Sequence, residues 1–463
     1  MRTPTTSMIL PLLLVLAGCD SPFTDEAAND WRRGDELRWR IADNPSQHTR
    51  DTLAITVSEA DESPPADAGV EDYVKLALAR HPSIIAARRR VERLSQEIPR
   101  VTSLDDPMLT VSPPVGSMPE TAAGMVGVMT MVSQQLPFPG KLATRGRIAE
   151  QETTMARRDL ETAMLGVAAD VRRAYWSVYL TQRQIEVTEE NRQLMAQFHR
   201  IARSMYEAGT AMQQDVLRAS VELSELDNQL LTLRRRQTSA KGMLNSLMDR
   251  PLEAAIPAPQ AVALSEVALQ LDELLAEAAR SNPQLQKAHD RIEAYRQQLK
   301  LARLNRWPDL NVAMTYNTVD KSDMAPMSNG KDQWWFSFGV NLPIWQGKRD
   351  AEERGALAGV MEGVAELTAA QNQLAFEVQD AMLSVETQQR SALLFRDVIV
   401  PQAKQAATVS QSAYQAGKSD FLTVVDNWRK VLTFEWMYHQ SVAEMQQDLA
   451  QLQQVLGRKD AQP

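Results

Sequence analysis

The pattern of apolar and polar positions changes character at two short proline-containing segments. Residues 123–135 are rich in Val, Met and Thr and carry no charge, whereas residues 142–250 lack proline and are dense in Arg, Glu, Gln and Ala. The segment between them, residues 136–141, reads Leu-Pro-Phe-Pro-Gly-Lys, and a similar segment, Leu-Pro-Ile-Trp-Gln-Gly-Lys, occupies residues 342–348. Each segment predicts a joint between a strand and a helix, and its recurrence predicts a duplicated unit.

The prolines of these two segments, here called joint 1 and joint 2, have a physical role. Pro137 and Pro343 cannot donate a hydrogen bond to a neighbouring strand, so we expect them to end strand pairing and to fix the backbone before the helix. Gly140 and Gly347 each lie immediately before the lysine that ends the joint.

Alternation of apolar with polar or small residues predicts two strands before joint 2. A period of two is typical of a strand with one apolar face. The first repeat is less regular, because residues 108–112 form only a short run and residues 125–135 are apolar on both faces. Residues 113–119 and 320–332, which contain proline or Asn-Gly, predict polar loops within the two pairs. The alternating apolar residues are Leu310, Val312, Met314 and Tyr316 in one strand and Phe336, Phe338, Val340 and Leu342 in its partner.

Strands with one apolar face fit either a soluble sheet or a transmembrane barrel. Trp307, Trp334, Trp335 and Trp345 lie at the ends of the second strand pair. A transmembrane barrel carries a girdle of aromatic residues at each membrane interface, which is where the strand ends lie. The positions of these tryptophans therefore favour a transmembrane barrel over a soluble sheet. Four strands cannot close a barrel, because a bilayer-spanning sheet has no open edge and the smallest barrels have about eight strands. The barrel interpretation therefore requires an oligomer.

Helical patterns precede the strands in both repeats. Residues 71–80 and 83–100 predict two helices separated at His81, because a residue before proline avoids the helical region. A similar break at Asn282, also followed by proline, separates a helical run from residues 284–305.

The helices that follow the joints are much longer. A helix over residues 141–205 would measure about 100 Å at 1.5 Å per residue. The returning helices carry strict heptads, which predict left-handed supercoiling and an antiparallel coiled-coil hairpin in each repeat. The heptad positions are Val216, Ala219, Leu223, Leu226, Leu230, Leu233, Gln237, Ala240, Leu244 and Leu247 in repeat 1, and Val424, Trp428, Val431, Glu435, Tyr438, Val442, Met445, Leu449, Leu452 and Leu456 in repeat 2.

Both predicted hairpins turn at a Tyr-x-Ala-Gly motif, at residues 206–209 and 414–417. Gly209 and Gly417 stand where the C-terminus of a helix needs a left-handed residue. An acidic residue, Asp215 or Asp420, follows near the start of the returning helix. In the second repeat, Pro401 is expected to bend the descending helix.

Composition narrows the functional classes. The chain has 463 residues, of which 24% are charged, and a net charge of −9. It is long enough for two or three ordinary domains, too polar for a helical membrane protein, and nothing in it suggests nucleic-acid binding. The histidines are dispersed, and the sequence has no zinc-protease, nucleophile-elbow or phosphate-loop motif, so it predicts neither an enzyme nor a cofactor. The basic runs at residues 88–90 and 234–236 are typical of solvated helix faces.

The N-terminus has the pattern of an export signal. Its apolar stretch, residues 8–16, is too short to span a bilayer as a helix and is followed by Ala17, Gly18 and Cys19. Cys19 is the sole cysteine of the chain, which rules out an internal disulfide. The motif resembles the bacterial lipobox, which implies acylation of Cys19; the alternative is an ordinary signal with an incidental cysteine. Asp20 marks inner-membrane retention in enterobacterial lipoproteins, a rule that other bacterial groups follow loosely.

These patterns divide the chain into six segments. Residues 104–137 and 308–345 hold the predicted strands, and residues 141–250 and 348–457 the predicted helical hairpins. The segments are a signal peptide (1–18), a lipid-anchored tether (19–69), repeat 1 (70–255), a linker (256–270), repeat 2 (271–457) and a C-terminal tail (458–463).

Two copies of strand, strand, long helix, tip glycine and long helix, behind a lipobox, resemble the TolC family of outer-membrane efflux factors over roughly residues 70–457. The resemblance implies a mixed α and β membrane protein, a homotrimer whose strands close a twelve-stranded outer-membrane β-barrel continued by a periplasmic α-helical coiled-coil barrel. It also implies three partners: a periplasmic adapter, an inner-membrane RND-type pump and outer-membrane lipid.

The resemblance implies a gate near the second tip. Asp426 falls on one position of the acidic ring that closes the family's tunnel, the other position is Thr423, and Asp420 is a further candidate. Like charges crowded at a narrow pore attract cations and repel one another, so a partner can bias closure against opening. The alternative is that these acids favour helix N-termini.

A latch between the two tips is implied in the same way. It pairs Tyr414 with Asp215, while the arginine that supports the family's latch is replaced by Ser419. The residues expected to form the latch and to contact the adapter are Tyr206, Gly209, Asp215, Tyr414 and Gly417.

Methionines cluster around the first strand pair. Thioethers suit Cu(I), but methionine is also a flexible apolar filler that needs no metal. Joint 1 looks most like the heavy-metal branch of the family, the CzcC- and CusC-like factors, which favours metal cations as cargo. The alternatives are efflux of drugs or organic solutes, a type I secretion duct, and a periplasmic coiled-coil adapter or scaffold lipoprotein. The methionines are Met108, Met118, Met125, Met129 and Met131, with Met324 and Met327 in the opposite loop.

Overall fold

The computed structural model describes residues 68–115, 118, 120–121, 123–259, 269–321 and 330–458. The chain divides into Met1–Ser63 and Pro64–Pro463, and all the described residues belong to the second unit. The predicted signal peptide with Cys19, most of the predicted tether, and Met324 and Met327 lie outside the described residues.

The elements follow the same order twice. Two or three helices lead into strands, and each strand pair is followed by a long helical hairpin. The first set is α1 (Val70–Arg80), α2 (Pro82–Ser95), α3 (Glu97–Thr102), β1 (Met108–Ser112), β2 (Glu120–Thr121), β3 (Gly124–Leu136), α4 (Lys141–Glu207) and α5 (Gln213–Leu247). The second set is α6 (Leu271–Ser281), α7 (Pro283–Leu304), β4 (Leu310–Asp320), β5 (Gln333–Val340), α8 (Gln346–Leu394), a π-helical turn (Phe395–Ile399), α9 (Val400–Gln415) and α10 (Phe421–Leu456).

The breaks expected before Pro82 and Pro283 are confirmed, and each preceding residue caps the next helix. The His81 ring nitrogen Nδ1 accepts a hydrogen bond from the Ser83 backbone N–H at 3.2 Å, and Asn282 Oδ1 accepts two in the same way. The prediction of one helix over residues 83–100 is wrong at Gln96, where α2 ends before α3 begins. Pro99 lacks the N–H that would continue the helical hydrogen bonding across this point.

The strands form one antiparallel sheet in the order β1-β3-β4-β5, with β2 beside β3. Val132, Met314 and Phe336 lie opposite one another on one face, while Ser133, Ala313 and Ser337 form the adjacent row on the other face. The alternating faces expected for β4 and β5 are therefore confirmed.

The exposure of the two faces is the reverse of that in a soluble sheet. Met314 and Phe336 are 38% and 68% exposed, whereas Ala313 is 7% exposed and Thr315 and Asn317 are buried. A soluble sheet covers its apolar face and leaves its polar face in water. A membrane barrel turns its apolar face outwards to lipid, so the observed polarity favours the barrel interpretation.

The descending helices of the two hairpins differ by one residue. Tyr206 lies 65 residues after Lys141, whereas Tyr414 lies 66 residues after Lys348. The first arm is the uninterrupted helix α4 of 67 residues, and the second contains the π-helical turn between α8 and α9. A π turn accommodates one extra residue without breaking the helix. Pro401, for which a bend was expected, is the second residue of α9, the helix that follows the turn.

Heptad positions supply much of the apolar packing between the long helices. Leu226, Leu230 and Leu233 are buried on α5, as are Val424, Val431 and Leu452 on α10. The polar heptad residues also have partners: Gln237 donates to Gln182 Oε1, and Glu435 lies 2.6 Å from Lys404 Nζ. Across the helices that the structure describes, none combines the length and the apolar character needed to span a bilayer.

Candidate functional site

Joint 1 is a sharp change of backbone direction at a left-handed glycine. Gly140 has φ +94° and is the residue that precedes helix α4, which begins at Lys141. Residues other than glycine rarely adopt this φ, because a Cβ would crowd the backbone. The glycine predicted for this joint thus permits the strand β3 to be followed directly by the long helix.

A buried ion pair holds joint 1 against the start of the second repeat. Lys141 is 3% exposed, and its Nζ lies 2.7 Å from Asp309 Oδ1 and 3.0 Å from the carbonyl oxygen of Trp307. The Phe138 backbone N–H donates to the same Asp309 oxygen at 2.7 Å, and the Phe138 ring stacks on Trp307 with centroids 5.3 Å apart. Asp309 is the residue immediately before β4, so it connects the end of one strand pair to the beginning of the next.

The carboxylate of Asp309 also contacts the residue immediately before joint 2. Asn341 Nδ2 lies 3.4 Å from Asp309 Oδ2, and Asn341 Oδ1 accepts from the Asp309 backbone N–H. Burial alone would raise the pKa of Asp309, but the hydrogen bonds from Lys141 and Phe138 outweigh it and hold the pKa below its usual value. Asp309 is therefore charged at neutral pH and receives donors from joint 1 and from Asn341.

Joint 2 is not a copy of joint 1. Helix α8 begins at Gln346, one residue before Gly347, and Gly347 is not among the residues with positive φ. Lys348, the counterpart of Lys141, is 66% exposed and lies 4.0 Å from Glu352 on its own helix. Pro343 precedes this helix start as expected, but the lysine of joint 2 has none of the burial found at joint 1.

The helix tips have the predicted glycine geometry. Gly209 and Gly417 adopt φ +73° and φ +71°, with open space at the position of a Cβ. The buried Tyr414 directs its hydroxyl to Asp215 Oδ2 at 3.4 Å, as the resemblance implied, and its ring packs on Phe421. Burial, with a contribution from Asp215, raises the pKa of Tyr414 to about 12, so it remains a neutral donor at neutral pH. Tyr206 is exposed.

The two acids expected at the gate have different surroundings. Asp420 is the N-cap of α10, and its Oδ1 accepts hydrogen bonds from the backbone N–H groups of Leu422 and Thr423. This is the capping role weighed as the alternative. Asp426 is exposed on the second turn of α10, away from the cap. Within the described residues no group of three His, Cys, Asp or Glu side chains could hold a metal ion.

An ion pair that sequence reasoning missed lies about two turns above Asp215. Arg429 on α10 donates through Nε to both carboxylate oxygens of Glu222 on α5, at 2.8 and 2.9 Å, and contacts Glu225. Glu222 is 5% exposed, and its hydrogen bond to Arg429 is the main cause that raises the arginine pKa. The two residues are 207 positions apart, so no local pattern in the sequence could have paired them.

Three of the methionines predicted as a cluster lie on the polar face of the sheet. Met108, Met129 and Met131 lie in the rows of Ser133, Asn317 and Thr315, on the polar face. Met314 lies on the apolar face. Met108 and Met131 are diagonal neighbours across β1 and β3, a separation that long side chains can bridge, and Met129 lies two residues from Met131 on the same face of β3.

Comparison with known proteins agrees with this architecture. The family model described as "Outer membrane efflux protein" matches residues 73–249 and 274–458. The chain is 23% identical over 316 residues, 66% of its length, to the toluene efflux pump outer membrane protein TtgF of Pseudomonas putida. The chain spans 64% of the length of the curated relatives it matches.

Solved structures share the fold at low sequence identity. The outer-membrane channel OprN superposes with a TM-score of 0.72 at 16% identity, over 84% of this chain and 89% of that one. A structure of CusC gives a TM-score of 0.72 at 15% identity, over 87% of this chain and 95% of that one. The predicted fold class, two tandem strand-strand-hairpin repeats, is confirmed.

Replacing Lys141 by Met should destabilise the chain by about 3 kcal/mol, because it leaves the Asp309 carboxylate, only 15% exposed, without its cation. The matched control is Lys300→Met on the exposed side of α7, which should have little effect. The measurement is the urea concentration at which helical circular dichroism is lost.

A carboxyl with a lowered pKa stabilises the fold above its usual pKa and loses that contribution as pH falls through the lowered value. The difference between the unsubstituted chain and Lys141→Met should therefore shrink below about pH 4, near the usual Asp value of 3.8. Equal stability of Lys141→Met and the unsubstituted chain would contradict this role of Lys141.

Proposed function

The chain belongs to the outer membrane efflux protein family, and we propose that it forms the outer-membrane duct of a tripartite efflux system. The observation that carries the proposal is the duplicated unit with a sheet whose apolar face is exposed and whose polar face is buried along the middle of β4. Membership of this transport family agrees with the expectation of a protein without enzymatic activity. The alternative of a periplasmic adapter loses its support, because the matched family is one of outer membrane proteins.

The duct is a homotrimer. One chain supplies the sheet β1-β3-β4-β5, which has open edges at β1 and β5, and a bilayer-spanning sheet must have none. Three copies supply twelve such strands and twelve long helical arms, which suits a β-barrel continued by a periplasmic helical barrel. The helix tips then face a periplasmic adapter and an inner-membrane RND-type pump, and the apolar face of the sheet contacts outer-membrane lipid. Cys19 carries a lipid anchor that adds to this membrane attachment.

Heavy-metal cations are the proposed cargo. The support is the resemblance of joint 1 to the heavy-metal branch, together with three thioethers, of Met108, Met129 and Met131, on the polar face that would line the lumen. Soft thioether ligands suit Cu(I) and similar ions. An organic solute is the second candidate, since the relative TtgF is named as part of a toluene efflux pump.

Deletion of the gene should sensitise its host to copper, silver, zinc or cadmium more than to toluene, detergents and dyes. The measurement is the minimal inhibitory concentration of each compound for the deletion strain, with and without the gene restored on a plasmid. A larger change for toluene and dyes would favour the organic-solute alternative, and no change for any compound would contradict efflux.

The gate of the duct is assigned to Asp426. Its carboxylate is exposed on α10, whereas that of Asp420 is occupied by two backbone N–H groups of the cap. The gate therefore has one available carboxylate per copy, and three in the trimer. Crowded carboxylates at a narrow aperture attract multivalent cations.

The variant Asp426→Asn should weaken block of the reconstituted pore by divalent or trivalent cations, since it removes the charge and keeps the size of the side chain. Single-channel conductance in planar bilayers with added cation measures the block. Glu207→Gln at the first tip, where Glu207 is exposed and pairs with Arg203, is the control and should leave block unchanged. Equal block in the Asp426 variant and the unsubstituted pore would return this residue to an ordinary surface role.

The Arg429–Glu222 pair restrains the closed duct. It joins α10 of the second hairpin to α5 of the first, so a movement of one hairpin away from the other would separate the two charges. Ser419 stands where the family's latch has an arginine. Arg429, ten residues further along the chain, supplies a cation in its place.

Replacing Arg429 by Met should raise the open-to-closed ratio about fivefold or more. A buried carboxylate left without its donor costs about 1–3 kcal/mol, and about 1.4 kcal/mol corresponds to tenfold. The readout is open probability in planar bilayers. Arg192→Met is the matched control, because Arg192 pairs with Asp227 within the first hairpin and should not affect opening. Similar open probabilities for the two variants would contradict the assignment.

A further inference from the structure

The internal repeat defines equivalent residues. Pro82 and Pro107 correspond to Pro283 and Pro308, each 201 positions later, and the lysines of the two joints are 207 positions apart. The equivalence extends to contacts. Arg90 on α2 pairs with Asp159 on α4, and 201 and 207 positions later Arg291 on α7 pairs with Glu366 on α8. In each repeat, the helix before the strands (the entry helix, α2 or α7) therefore packs in the same way on the helix after them (the descending helix, α4 or α8).

A second kind of contact joins the two repeats within one chain. The later half of repeat 1, β3 and α4, packs against the earlier half of repeat 2, α7 and β4. In the sheet Leu136 lies opposite Leu310. Between the helices Arg158 on α4 pairs with Asp290 on α7, and Lys287 on α7 pairs with Asp159.

Among the residues that the structure describes, the matching halves at the outer ends of the chain have no such neighbour in one copy. The later half of repeat 2 is β5 with α8, and the earlier half of repeat 1 is α2 with β1; β5 and β1 are the two edges of the sheet. Large apolar side chains are exposed along both halves. They are Phe336, Phe338, Val340, Leu357 and Met361 in the later half, and Ile85, Leu109 and Val111 in the earlier half.

We propose that these two halves form the seam between copies of the duct, with the geometry of the seam inside each chain but with a different charge pattern. The proposal rests on the trimeric duct proposed above and assigns the residues of its interface. Leu342 is the counterpart of Leu136, and Leu109 is the counterpart of Leu310. The register found inside the chain therefore places Leu342 opposite Leu109 of the next copy. The same register places Val340 opposite Val111, on the same apolar face.

The charges at this seam differ from those inside the chain. The counterpart of Arg158 is Ala365, and the counterpart of Asp290 is Arg89. Because α8 and α2 run antiparallel, Arg89 falls between Glu362 and Glu366 of the neighbouring copy, which are one helical turn apart. Inside the chain each of the two helices carries one cation and one anion, whereas at the seam the cation is on the entry helix and both acids are on the descending helix. Arg89 pairs with Glu92 on its own helix, and the seam gives it a further acidic partner.

The charge pattern disfavours contact between the first repeats of two copies. A descending helix α4 docked on α2 of another copy would bring Arg158 near Arg89. Like charges across an interface are unfavourable and suppress wrong partners. The second repeat, whose helix α8 carries Glu362 and Glu366, is therefore the favoured neighbour of α2.

The strand register is tested by a cysteine pair in the full-length chain, Val111→Cys with Val340→Cys. Directly opposed antiparallel residues are about 4.5–5.5 Å apart at Cα, a distance that a disulfide can span. Oxidation should convert the monomer band on a denaturing gel into covalent dimer and trimer, reversed by reductant. The pair Val111→Cys with Phe336→Cys is the control, because the second cysteine is then displaced by about 13 Å along the strand. A trimer that forms without cross-links, or that cross-links equally in the control, overturns the seam while leaving the duct intact; a chain that never forms trimers overturns the duct itself.

The charge pattern is tested by reversal. Arg89→Glu and Glu362→Arg should each lower the temperature at which the trimer dissociates, and the double variant should regain most of the loss, since every seam then carries both changes. Lys75→Glu on α1, an exposed position, is the control for a change of net charge. Additive losses in the double variant would overturn the assigned pairing.

Discussion

The buried ion pair between Lys141 and Asp309 is the constraint on which the rest of the architecture depends. Charges withdrawn from water are tolerated only where geometry and additional hydrogen bonds compensate, and Asp309 has donors from Phe138 and Asn341 as well as Lys141. The pair fixes the direction in which α4 leaves the sheet. Along a helix of 67 residues, about 100 Å, a change of about 5° at the joint would displace the tip by about 9 Å. The contacts at the helix tips could not form if the tip were displaced by that distance.

The sheet and the helices impose the same requirement for assembly by different physical routes. In the sheet, β1 and β5 leave backbone groups that a bilayer cannot satisfy. In the helical part, α8 exposes apolar residues such as Met361 and Phe376 along a face that on α4 is partly covered by α7. Both open surfaces belong to the same halves of the repeats. Closure by further copies would cover them together, so barrel and tunnel would form in one step of association.

Local features were predictable from sequence, and distant ones were not. The breaks before Pro82 and Pro283, the alternation along β4 and β5, and the left-handed tip glycines follow from the chemistry of a few neighbouring residues, and the structure confirms them. The difference between the joints was missed because the two segments have similar sequences. Whether the lysine of a joint is buried depends on a distant carboxylate, Asp309, whose counterpart in the other repeat is Met108. The pairing of Arg429 with Glu222 depends on two hairpins meeting, and the role of Asp420 as a cap depends on where α10 begins.

The divergence between the joints has a physical reason if duplication produced this chain. Joint 1 contacts the start of β4 in the same molecule, so its buried pair can form as soon as a single chain folds. In the proposed seam, joint 2 would contact the corresponding segment of another copy, and before assembly its lysine is exposed to water. A buried carboxylate at the counterpart of Asp309 would then gain nothing until association, whereas a methionine there and an exposed lysine at position 348 carry no penalty in the free chain. The buried pair of Lys141 and Asp309 thus belongs to the seam that forms first, and the proposed seam between copies relies on apolar strand edges and on exposed charges.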